Sequence, residues 1–105
     1  MAAHTVAATA HGKHAVTLTQ DVEDTVTFTG GVRRVRVKNT HVSAPIYVRA
    51  NQAVTTAITA GADDTRLVAA GETREIKLHN NGLGVKGTVV RLISNGAATF
   101  SIEKL

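Results

Sequence analysis

The chain has 105 residues, among them 16 Ala, 15 Thr, 14 Val and 9 Gly, but 1 Pro, no Cys, no Trp and only 3 Phe and Tyr rings; its formal net charge is +4. This is material for one domain. The lack of cysteine excludes disulfide scaffolds and thiolate zinc sites, and no run approaches the roughly 18 consecutive apolar residues of a membrane-spanning helix.

Met1 to Ala10 carries a histidine where a secretion signal has its lysine-flanked apolar stretch, so a soluble, unprocessed chain is expected. The residues from Ala2 to Gly12 are small and include no Asp, Glu, Lys or Arg. Such a segment repays little of its ordering entropy by itself. Residues 1–13 therefore read as a flexible N-terminal arm, a fraying tail in its simplest form and a strand lent to a neighbouring subunit in its more specific one. Residues 14–105 are expected to make the folded domain.

Thr and Val are stiff at the first side-chain torsion and favour a pleated backbone. Val22, Val26 and Phe28 fall on one parity and Thr25, Thr27 and Thr29 on the other, the period-two mark of a strand with one buried face. After Gly30-Gly31 the next run sets Val35 and Val37 against Arg34, Arg36 and Lys38, a basic face behind an apolar one, and the two runs read as a hairpin. Pro45 cannot donate to a ladder and suits a strand start, placing Ile46 and Val48 inward and Tyr47 and Arg49 outward. Ala53 to Thr59 alternates weakly, as an edge strand or an extended loop.

Gly61-Ala62-Asp63-Asp64 and Ala70-Gly71-Glu72-Thr73 carry turn chemistry around a brief strand at Arg66 to Ala69. Ile76 and Leu78 then face in, with Glu75, Lys77 and His79 out, and Asn80 to Gly84 is a loop. Val89, Val90, Leu92 and Ile93 leave no polar face around Arg91, which predicts a central, buried strand. The pair Asn95-Gly96 between Thr88–Ser94 and Ala97–Glu103 reads as a hairpin turn, with Phe100 and Ile102 inward. Seven or eight short strands and no helix describe an all-β antiparallel sandwich, a jelly roll or another Greek-key type.

Five basic residues, Arg33, Arg34, Arg36, Lys38 and Arg49, lie between Thr25 and Ala62 with no acidic residue among them. Segregated charge of this kind fits an acidic partner surface or nucleic acid. Against nucleic acid stand the absence of a recognition helix and the lack of stacking rings beyond Tyr47. His4, His11 and His14 are the one histidine cluster, but they lie on the arm, where a rigid three-ligand metal site has no scaffold. Asp21, Glu23 and Asp24, like Asp63 and Asp64, read as turn formers; neither group has the spacing of a calcium loop. Ser43, Ser94 and Ser101 have no histidine in an activating context, and no cofactor motif is present. The residues thus point away from an enzyme.

The succession Val35-Arg36-Val37-Lys38-Asn39-Thr40, Ala44-Pro45-Ile46-Tyr47-Val48-Arg49, Ala60 to Asp64, Val68 to Thr73 and Val90 to Glu103 resembles small β-sandwich virion proteins of tailed bacteriophages. The resemblance covers about the last two-thirds of the chain. It implies a non-enzymatic capsid decoration, or cement, protein seated in multiple copies on the major capsid lattice. The expected partners are the major capsid protein and further copies of this chain, with no membrane involved. The expected location is the capsid exterior, after a soluble phase in the host cytoplasm. Arg34, Arg36 and Lys38 would face the lattice, and Val6 would anchor the arm. A tail-associated or surface carbohydrate-binding module is the alternative, for which Tyr47 alone is a poor sugar platform.

Overall fold

The computed structural model describes residues 2–29, 32–50, 56–77 and 88–105. Among them nine strands form two sheets: β1 (Ala3–Val6), β2 (Gly12–Thr17), β3 (Asp24–Phe28), β4 (Arg34–Asn39), β5 (Ile46–Arg49), β6 (Arg66–Val68), β7 (Thr73–Lys77), β8 (Thr88–Ile93) and β9 (Thr99–Lys104). One sheet runs β1-β3-β8-β5-β6 and the other β2-β9-β4-β7. All pairings are antiparallel except β1 with β3. This is the all-β sandwich that the parity of the sequence predicts.

The inward parities meet between the sheets. Val26 and Phe28 of β3, Val35 and Val37 of β4, Ile46 and Val48 of β5, and Phe100 and Ile102 of β9 are all buried in one cluster with Leu18, Ile76 and Leu92. Each large side chain removed from water in this way stabilises the fold by roughly 1.5–3 kcal/mol. The two phenylalanines therefore matter most in a chain with so few rings. As its unbroken apolar run predicts, β8 is central, flanked by β3 and β5.

The N-terminal expectation is corrected. Ala3–Val6 is a strand of the same subunit, paired parallel with β3 from Ala3↔Thr25 to Val6↔Phe28. Two further contacts secure it at the buried Asp24 carboxylate: His4 Nε2 lies 3.0 Å from Oδ2, and the Ala2 amide donates to Oδ1 at 3.2 Å. Val6 is 1% exposed and fills the core. The ordering cost that the small side chains do not meet is met by ladder bonds, one buried valine and a carboxylate latch. Residues expected in the arm also begin β2, where a Cβ on Gly12 would stand 1.9 Å from the Ile102 carbonyl oxygen. Only glycine lets that strand lie so close to β9.

Both predicted hairpins are corrected as well. Strands β3 and β4 belong to different sheets, as do β8 and β9. Gly96 does not take positive φ, so the Asn95-Gly96 pair is no tight hairpin turn. The buried Ser94 hydroxyl instead donates to the Pro45 carbonyl at 2.6 Å and accepts the Gly96 amide at 3.1 Å, bending the chain across to the other sheet. Gly96 is required for space, since a Cβ there would stand 2.9 Å from that of Ala44. The chain changes sheet at every connection except β5 to β6. Residues 51–55, Leu78, His79 and the Asn80–Gly84 loop lie outside the described residues.

Candidate docking face

Strand β4 runs between β9 and β7, so its outward side chains sit in the middle of an open sheet. Arg34 and Lys38 are exposed and Arg36 is half-buried. The sheet brings together these three residues of the predicted basic strip, and it adds neighbours that the strip alone does not reveal. Arg36 stands in register with Glu75 of β7 and Glu103 of β9, and its Nη1 donates to Glu103 Oε1 at 3.0 Å. Arg34 stands opposite Lys77, and Lys38 opposite Thr73 and Ser101. The middle of the strip is thus neutralised across strands, and the positive charge concentrates at its two ends. At 43% and 36% side-chain exposure the Arg36–Glu103 pair orders the surface more than it stabilises the fold.

A depression of about 280 Å³ opens at the Lys38 end, lined by His14, Arg36, Lys38, Ser101 and Glu103. A β-bulge shapes it. Lys13 pairs with Ile102 and Val16 with Phe100, so His14 and Ala15 together face the single residue Ser101. Ala15 takes φ 56°, a left-handed conformation that non-glycine residues avoid, and its amide donates to Ser101 Oγ at 3.1 Å.

The opposite face of the sandwich is different. Arg49 and Arg91 stand in register on neighbouring strands β5 and β8, both on the outer side of the five-stranded sheet. Residues 56–65, ahead of β6, form a strap that lies over them. Arg49 donates to Asp64 Oδ2 at 3.0 Å and to the Thr56 carbonyl, Arg91 donates to Glu23 Oε1 at 2.6 Å, and Glu23 Oε2 accepts the Ile58 amide at 3.0 Å. Ile58 and Ile93 are buried there, outside the main core cluster. Arg49, outward by parity, is consequently buried at 3% exposure, and it belongs to this strap rather than to the basic face.

Val6, expected to reach a lattice neighbour, is enclosed in its own core and offers no surface. His4 is engaged with Asp24, while His14 is exposed on the bulge of β2. Glu23 and Asp24, expected as turn formers, are buried with specific partners, whereas Asp21 does occupy a left-handed position at φ 58°. Asn39 was not foreseen as structural, although its parity with Val35 and Val37 marks it as inward. The bulge has no signal in the sequence, because Ala stands where such a conformation ordinarily calls for Gly.

No known protein family and no curated protein matches the chain. Among solved structures it is similar to PliG of Aeromonas hydrophila, described as a periplasmic lysozyme inhibitor of g-type lysozyme, at 13% identity over the whole of both chains with a TM-score of 0.44.

Proposed function

We propose that this chain is a non-enzymatic structural protein of a tailed-phage virion, a decoration protein that binds the major capsid lattice in multiple copies through the outer face of the four-stranded sheet. The observation that carries this reading is the inequality of the two faces. One sheet is covered by its own strap, and the other presents Arg34 and Lys38 to solvent on a continuous strand. The virion assignment itself rests on the resemblance of residues from Val35 onward to small phage sandwich proteins. A standard interface takes about 800 Å² from each partner. In a molecule measuring 36 × 27 × 22 Å that is most of one broad face, so a docking surface here is a whole sheet rather than a loop tip.

Electrostatic complementarity with an acidic lattice sets the rate and specificity of such docking. The double reversal Arg34→Glu/Lys38→Glu leaves the Arg36–Glu103 pair intact and is expected to lower occupancy on purified particles at least about tenfold, read by co-sedimentation. Unchanged occupancy would overturn the assignment of this face. Electron microscopy of the source particle, with no density for the domain on the capsid exterior, would overturn the location.

A further inference from the structure

We propose that the depression bounded by His14, Arg36, Lys38, Ser101 and Glu103 is a binding subsite for a carboxylate, supplied by an acidic side chain of a protein partner. The inference rests on the docking role of this face and names the group that the face receives.

Four observations converge on it. The bulge in β2 sets His14 and Ala15 against one residue of β9, and bulges re-aim side chains at the places where they occur. The bulge is held in an unfavourable backbone conformation at Ala15, φ 56°. The Ser101 hydroxyl accepts the Ala15 amide at 3.1 Å, which leaves its own proton to donate into the depression. The Lys38 ammonium has no hydrogen-bond partner among the described residues, and only Nη1 of Arg36 is held by Glu103. A hydroxyl, an ammonium and the remaining guanidinium N–H groups therefore line one concavity, the donor set that charge-assisted recognition of a carboxylate uses.

Glu103 on the rim decides the charge of the ligand. With Arg36 and Lys38 opposed by one carboxylate, the depression carries a single net positive charge when His14 is neutral. That balances a monoanion and disfavours a phosphate dianion, whose second charge would lie against Glu103. A carboxylate presented on a short acidic loop fits both the charge and an opening of about 280 Å³.

The test is an amide NMR titration of the full chain with an end-capped pentaglutamate peptide at about 0.15 M salt. Shifts are expected at Ala15, Lys38 and Ser101. Lys38→Gln and Ser101→Ala are each expected to weaken the peptide at least about fivefold, the loss of one charge-assisted donor. Arg66→Gln removes the same charge from the other sheet, at a residue that does not line the depression, and should leave the affinity unchanged. Equal losses in Lys38→Gln and Arg66→Gln, or inorganic phosphate bound at Ser101 as tightly as the peptide, would overturn the carboxylate subsite. The two readings fail separately. If particles lose the Arg34→Glu/Lys38→Glu protein while the peptide leaves Ala15 and Ser101 unshifted, docking stands and the subsite falls. If the peptide binds at Ser101 while particle occupancy ignores the reversal, the lattice assignment falls and the subsite stands.

Discussion

Asn39 shows how much one polar residue can carry in a small core. It is fully buried at the end of β4, where Nδ2 donates to the Ala44 carbonyl at 2.8 Å and to the Val68 carbonyl at 3.1 Å, while Oδ1 accepts the His41 amide at 3.0 Å. Val68 belongs to the other sheet, so this amide ties the two layers together. Asn39→Leu keeps the branch at Cγ but adds volume to a fully buried site, and it takes the amide partner away from two carbonyls and one N–H. It is expected to cost about 2–4 kcal/mol in urea unfolding, and a loss under about 1 kcal/mol would show that these groups find other partners. Glu103→Gln, which breaks the half-exposed pair with Arg36, is expected to cost under about 0.5 kcal/mol in the same measurement. Burial, not formal charge, separates the two.

At the scale of elements, the strap of residues 56–65 buries Ile58 outside the main core cluster, an arrangement that suits a unit able to open on its own. Glu23 fastens it, since one carboxylate serves both Arg91 and the Ile58 amide. Glu23→Gln places an amide NH₂ where one of two donors must be met. The Ile58 amide is then expected to exchange with solvent at least about tenfold faster, with the core strands unchanged. Uniform acceleration across β3, β8 and β9 would instead mean that the strap is part of the global fold. The same region marks where legibility stopped. From β3 onward, strand positions and inward faces follow from alternation, because Val, Ile and Phe at every second position have one way to avoid water, whereas the small side chains of β1 and the bulge of β2 give no such pattern. Sheet membership did not follow, because a strand's pattern says which side is buried and not which strand lies beside it. Hence Asn95-Gly96 predicts a hairpin that the fold does not form, and Arg49 reads with a basic strip that lies on the other sheet. Of the candidate docking face, Arg34, Arg36 and Lys38 are visible in the sequence as a run. Glu75 and Glu103, which neutralise its middle, arrive from strands about 40 and 67 positions farther on, joined only by folding.

For the whole molecule, the outcome is a sandwich with one closed face and one open one. The closed face consumes two arginines internally, and the open face keeps its cations at the ends of β4. Both sheets depend on the last strands in chain order. Strand β8 joins β3 to β5, and β9 joins β2 to β4. A chain ending after residue 97 is expected to lose cooperative thermal unfolding altogether rather than to melt at a lower temperature, as circular dichroism would show. A retained cooperative transition would mean that the five-stranded sheet folds without its partner.

This placement also governs synthesis. While the polypeptide is being made, β2 and β4 have no strand to join them, and β3 and β5 wait likewise, so each sheet stays in two halves until Thr88–Lys104 has left the ribosome. Closure of the sandwich is therefore confined to the moment after these strands emerge. A product truncated before these strands yields two unjoined halves of each sheet rather than a sandwich.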